Sequence, residues 1–134
     1  MKIASPVGPA TFGPLFVRLA IGTYFVMAGM EKIDKIPAFV SQVGSFGILP
    51  DQLATLYGIL LPYTEFVVGI MLILGIWTTL SALLASLMLI SFIIAFGVIP
   101  NAHMVFNKDL ILLASALSLM YTGPGIYSVD GSGK

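Results

Sequence analysis

A roughly 25-residue apolar stretch at residues 53–77 constrains this chain more than any other feature of its sequence. As an α-helix, the stretch is long enough to cross ~30 Å of hydrocarbon with some tilt. Its one charged residue is Glu65, which lies near the middle. Because a carboxyl group is costly inside a bilayer, Glu65 is a candidate functional residue whose partner must be identified.

The composition also favours a membrane protein. Hydrophobic residues make up 58% of the 134 residues and charged residues only 9%, whereas soluble domains carry about 25% charged residues. The six basic and six acidic residues cancel, which gives no reason to expect a nucleic-acid partner. The chain has no cysteine, which excludes disulfides, thiolate nucleophiles and Cys-ligated metals from its own residues.

Four apolar segments predict an all-α fold, since isolated strands cannot cross a bilayer. We expect a single transmembrane domain over residues 1–134, with helices at about 14–35, 52–77, 79–99 and 107–122. Residues 36–49 mix apolar and polar side chains, which predicts a short interfacial segment between helices 1 and 2. Small residues at helix-packing spacing, including Gly22 and Gly29, favour a four-helix antiparallel bundle.

The predicted surroundings of Glu65 follow from the spacing of its helix. Pro62 and Gly69 share a face with Glu65, and a proline-induced kink beside glycines predicts a small polar cavity there. In one interpretation, Glu65 exchanges protons in that cavity. In the other, it is a structural ion, held by Arg18 or by hydroxyl groups such as those of Thr64 and Tyr24.

Arg18 is the partner that the sequence suggests for Glu65. It shares a face of the first helix with Gly22, Phe25 and Gly29, and its long side chain could reach toward the carboxyl group. Two alternatives stay open: the guanidinium extends outward, or it pairs with Asp130 and fastens the C-terminal tail over the mouth of the bundle.

Other candidate binding residues are aromatic or imidazole side chains. Phe25 and Tyr63 could hold a flat quinone ring beside the glycine faces. His103, the only histidine, lies in a polar loop, where it is solvated, donates a proton near a quinone, or ligates a haem or pigment shared with a larger complex. One histidine without cysteine does not predict a metal site.

Several short motifs together resemble the DoxX family of small four-helix membrane proteins. They are RLAIG at residues 18–22, GMEK at 29–32, EFVVG at 65–69, LGIWTT at 74–79, NKDL at 107–110 and TGPGIYSVD at 122–130. The last is the most specific, and it contains residues expected to be structural: Gly123, Pro124, Gly125, Tyr127 and Asp130. The resemblance implies quinone-linked redox chemistry beside a partner enzyme, although the missing cysteines argue against thiol-based electron transfer.

The leading hypothesis is therefore a membrane subunit of a quinone-linked oxidoreductase in a prokaryotic cytoplasmic membrane. Glu65 and Arg18 would handle protons, the quinone would be bound without a covalent link, and protein partners would supply electrons. The alternative is a non-catalytic accessory subunit of a larger respiratory or photosynthetic complex. A small transporter or proton pathway is a third possibility. Lysine and arginine divide equally between the two expected membrane sides, so the sequence does not determine orientation.

Overall fold

The computed structural model describes residues 4–96 and 108–132, and every regular element within those residues is a helix. The helices are α1 (Phe12–Ile33), α2 (Ile36–Ser45), α3 (Asp51–Leu74), α4 (Thr78–Phe96), α5 (Lys108–Thr122) and α6 (Val129–Ser132). Among them, α1, α3 and α4 are long and apolar enough to cross a membrane. The all-α membrane architecture is confirmed at this level, but α5 has only 15 residues, so the four-span bundle stays a prediction.

Helices α1 and α3 pack against each other through glycines. A Cβ atom added to Gly22 would lie 2.8 Å from the carbonyl oxygen of Gly69, and one added to Gly29 would lie 2.8 Å from that of Pro62. The backbones therefore approach as closely as they can, as expected for helix association in lipid. This packing corrects one prediction: α3 continues through Pro62, and the glycine faces are filled by the neighbouring helix rather than left as a cavity.

The predicted segment between the first two spans is the helix α2. A short turn at Asp34 and Lys35 separates it from α1, and a proline in its first turn fits the helix start. Gly29 contacts α3 at Pro62, and Val40 of α2 contacts α3 at Gly58, one turn nearer the N-terminus of α3. Helices α1 and α2 thus follow α3 in succession, and the charged turn between them lies beside the middle of α3.

The C-terminal tail closes the opposite end of the helices. Helix α3 ends at Gly75, whose φ of +72° is a left-handed conformation that glycine adopts without strain. The amide of Asp130 donates to the Gly75 carbonyl at 2.9 Å, which fixes the tail on the α3–α4 turn. The buried core lies between the helices and is formed mainly by aliphatic and aromatic side chains, among them Ile21, Phe25, Leu72, Leu89 and Leu119.

Candidate functional site

Glu65 is fully buried in α3, and its ionic partner is Lys32 from the last turn of α1. The Lys32 Nζ lies 2.8 Å from Oε1 and 3.1 Å from Oε2 of Glu65, so one ammonium donates to both carboxylate oxygens. The Lys32 side chain is 27% exposed, whereas that of Glu65 is 0% exposed. The pair therefore connects a carboxylate inside the helix packing to an ammonium that reaches accessible space.

Two aromatic rings, one from α2 and one from α4, make cation–π contacts with the Lys32 ammonium. The Nζ lies 5.3 Å from the ring centroid of Phe39 in α2 and 4.8 Å from that of Phe92 in α4. Both distances lie within the ~6 Å over which a cation is attracted to an aromatic face. Four helices, α1 to α4, thus meet at one charged side chain.

A second buried carboxyl group belongs to the same charge cluster. Asp109, in the first turn of α5, is only 5% exposed and interacts electrostatically with Lys108 and Lys32. The charge of Asp109 also acts on Glu65. The site therefore combines two buried acids with two lysines, and opposite charges compensate each other there.

This cluster opens into a cavity of about 720 Å³, here called the polar cavity. Among the described residues, three lysines and one acid line it: Lys32, Lys35, Lys108 and Glu31. The Lys108 Nζ lies 5.7 Å from the ring centroid of Tyr24, another wall residue. The remaining walls are Met27, Ala28, Ala38, Phe39 and Gln42. The excess of ammonium groups favours a ligand with electronegative oxygen atoms.

A second cavity of about 240 Å³, here called the apolar cavity, lies on the other side of Phe39. Helices α2, α3 and α4 and the segment between α2 and α3 supply its walls. They are Phe39, Val43, Phe46, Ile48, Leu49, Tyr57, Ser91, Phe92, Ile94 and Ala95. Since the rings of Phe39 and Phe92 also lie against the Lys32 ammonium, these two rings stand between the apolar cavity and the ion pair.

The two hydroxyl groups in the apolar cavity bond to each other. The Tyr57 and Ser91 oxygens are 2.6 Å apart, and Ser91 donates its single hydroxyl proton to the Met88 carbonyl oxygen at 2.6 Å. Tyr57 must therefore be the donor to Ser91. With these protons committed, the wall presents mainly hydrocarbon to the cavity.

The structure does not bring Arg18 to Glu65, which corrects the predicted pairing. Arg18 is fully buried near the other end of α1, and its N–H groups donate to five backbone carbonyl oxygens at 2.7–3.1 Å. Two of these belong to the last turn of α3, at Leu72 and Ile73. The other three belong to the tail, at Pro124, Ile126 and Tyr127. The guanidinium is therefore fully used in fastening the tail.

Asp130 also fastens the tail, although its hydrogen bonds go to α4. Its carboxylate accepts bonds from the amides of Trp77 at 2.9 Å and Thr78 at 2.7 Å, so it caps the first turn of that helix. Arg18 acts on Asp130 through its charge. The predicted tail clamp thus exists, with backbone groups rather than a direct ion pair as the main partners.

The two aromatic residues that the sequence suggested for quinone binding, Phe25 and Tyr63, do not line the polar cavity beside Lys32. Phe25 is 0% exposed within the hydrophobic core, and Tyr63 is 49% exposed on the outer surface of α3. Neither position supports the predicted contact with a quinone ring. His103 lies outside the described residues, so its predicted roles stay predictions.

Lys32 is the site residue that the sequence reasoning missed. It lies at the charged end of the predicted first helix, beside Glu31, where the sequence gives it no role. A signal was present, since Gly22, Gly29 and Lys32 fall on one face of a helix, seven and three residues apart. That face is the one that packs against α3.

Comparison with known proteins identifies one family. The family model described as "Methylamine utilisation protein MauE" matches residues 10–107, which is most of the chain. The search of curated proteins and the search of solved structures found no match.

The resemblance to DoxX is thereby overturned. The family match is to a different membrane family. Glycines at helix contacts are common to small bundles that pack in lipid, so they do not separate one such family from another.

Proposed function

Since the chain belongs to the MauE family of methylamine utilisation proteins, we propose that it is a membrane component of methylamine utilisation and binds a quinone beside Lys32 and Glu65. The observation that carries this proposal is the buried ion pair at the junction of a polar and an apolar cavity. A tailed quinone joins a polar ring, which carries two carbonyl oxygens, to a hydrocarbon chain. Such a ligand matches the two cavities in polarity.

The residues present fit a quinone headgroup. An ammonium carries three N–H groups, and those of Lys32 serve both Glu65 oxygens while the side chain remains partly exposed to the polar cavity. An N–H of Lys32 can therefore donate to a carbonyl oxygen of the ring. Phe39, at the boundary of the two cavities, offers a flat apolar surface for the ring.

A bound quinone supplies a two-electron, two-proton acceptor. Since the chain has no cysteine, the electrons for a bound quinone would come from a redox centre of a partner protein. The chain's own contribution is to position the ring and to exchange protons. Glu65 and Asp109 are two buried carboxylates that interact electrostatically with lysine, and each would take up a proton from the polar cavity and pass it to the quinone, which accounts for the two protons.

The test compares quinone binding and turnover in reconstituted membranes. The probe is a quinone carrying one isoprene unit, and the variants are Glu65→Gln and the double variant Glu65→Gln, Lys32→Met. We expect quinone affinity to fall at least about tenfold in both variants, because the headgroup donor or its orienting carboxylate is lost. Asp51→Asn, at the exposed start of the same helix, is the matched control and should bind as the wild type does.

The double variant separates function from folding. Removal of both charges leaves no unpaired buried ion, so the protein should assemble while failing to bind the probe. Full binding and turnover in the double variant would show that the pair is structural and would favour the accessory-subunit hypothesis instead.

A further inference from the structure

We propose that the apolar cavity binds the first isoprene units of the quinone tail and sets a preference for tailed over tailless quinones. This inference rests on the proposed function, because it concerns the same ligand. It adds a second binding site, 240 Å³ in volume, with its own lining residues.

The first step is that the two cavities are neighbours. Phe39 lines both of them, and Phe92 lines the apolar one while its ring faces the Lys32 ammonium at 4.8 Å. A ring held by Lys32 therefore has the apolar cavity directly beyond these two side chains. The point at which a quinone changes from polar head to hydrocarbon tail corresponds to this boundary.

The second step is the chemistry of the wall. Phe39, Val43 and Phe46 recur at four- and three-residue spacing, so α2 turns one apolar face to the cavity. The hydroxyl groups of Tyr57 and Ser91 are already paired. A polar ligand would lose its hydration there without gaining partners, whereas a hydrocarbon chain gains from leaving water.

The third step is the exit. Ile48 and Ile94 line the cavity and are also 54% and 66% exposed on the outer surface, where an apolar helix meets lipid. A cavity of 240 Å³ corresponds to only about eight water-sized volumes of ~30 Å³ each. It therefore holds the beginning of a tail, and the remainder passes into the bilayer between these two side chains.

The test measures the affinity of one headgroup series, with no, one, two and four isoprene units, in nanodiscs. We expect wild-type affinity to rise at least about tenfold from the tailless compound to the short-tailed ones and then to level off. The cavity-filling variant Ala95→Phe should lose this gain while binding the tailless quinone normally. Ala20→Phe, the same change on the exposed surface of α1, is the control and should retain the gain.

Comparison between variants removes the effect of partitioning, because each tail enters the bilayer equally in all of them. A gain that survives in Ala95→Phe would overturn the tail site and leave the headgroup site intact. Failure of the wild type to bind any member of the series would overturn the proposed function, and the tail site with it.

Discussion

Lys32, in the last turn of α1, donates to both carboxylate oxygens of Glu65 near the centre of α3, at 2.8 and 3.1 Å. The contact is possible because α1 ends beside the middle of α3, where the chain turns and continues as α2. A charged turn is thereby placed next to an apolar span. The end of α1 beside the middle of α3 therefore accounts both for the break between α1 and α2 and for the ammonium that pairs with the buried carboxylate.

Replacing one member of this pair should lower the free energy of unfolding more than replacing both. Lys32→Met leaves a fully buried carboxylate unpaired, and we expect it to lower the free energy of unfolding by about 3 kcal/mol. The double variant Lys32→Met, Glu65→Gln should recover most of that loss. Unfolding in mixed micelles measures both values, and Lys35→Met, at an exposed lysine three residues away, is the control. Equal losses in the single and double variants would contradict the pairing.

Arg18→Lys should release the tail although the positive charge is kept. The guanidinium fills five carbonyl acceptors in a fixed planar array, whereas an ammonium has three N–H groups and no such geometry. We expect a loss of about 3 kcal/mol in the free energy of unfolding. Amide hydrogen exchange should rise at Ile126 and Asp130, whose amides are bonded in the fastened tail. Unchanged exchange at these two amides would show that charge alone holds the tail.

The sequence predicted the helical spans well because they depend on local properties. The bounds of α1, α3 and the described part of α4 lie within a few residues of the predicted segments, because the length of each apolar run determines them. Gly22 and Gly29 were expected at helix contacts and lie there, whereas Gly69 was expected to border a cavity and instead packs against α1. These features need no knowledge of which helix neighbours which.

The site was not predicted because it depends on relative depth. The predicted contact between Arg18 and Glu65 relied on the reach of the Arg18 side chain, whereas the guanidinium lies at the level of Leu72 and Ile73, about two turns of α3 from Glu65. The actual partners of Arg18 are backbone carbonyl oxygens. Because every residue has such an oxygen, the pattern of side chains does not predict which ones Arg18 binds. Lys32 was not considered as a partner because four charges lie between residues 31 and 35, at the predicted end of the first helix, where charged side chains usually face water.

The free energy of unfolding should fall in acid because Asp130 loses its charge there. Partial desolvation raises the pKa of Asp130, but hydrogen bonds from the Thr78 and Trp77 amides and the charge of Arg18 outweigh it, so the pKa lies below its ordinary value. A carboxyl whose folded-state pKa is lowered stabilises the fold above its unfolded pKa of about 3.9, and the contribution disappears as the pH falls through the folded-state pKa.

We therefore expect Asp130→Asn to cost about 1 kcal/mol near neutral pH, the usual value of a helix cap, and to cost less as the pH falls below about 4. Thermal unfolding of both proteins across this range measures the difference. Asp51→Asn, at the other end of α3, should lose stability with acid as the wild type does. A difference between wild type and Asp130→Asn that stays constant with pH would rule out the cap as its source.

Gly29→Ala should separate α1 from α3 and weaken the ion pair. A methyl group at Gly29 would lie 2.8 Å from both the Phe66 nitrogen and the Pro62 carbonyl oxygen, and these backbone atoms can move away only if the helices do. We expect a loss of about 2 kcal/mol in the free energy of unfolding. Gly13→Ala is the matched control, because it lies in the same helix with nothing within 4 Å of the added methyl group. There the gain in helix propensity, up to about 1 kcal/mol, should dominate.

Since Gly29 lies one turn before Lys32, its variant should also bind the one-isoprene quinone more weakly, whereas Gly13→Ala should bind it normally. Equal stability of the two variants would show that α1 and α3 are not held at the distance described.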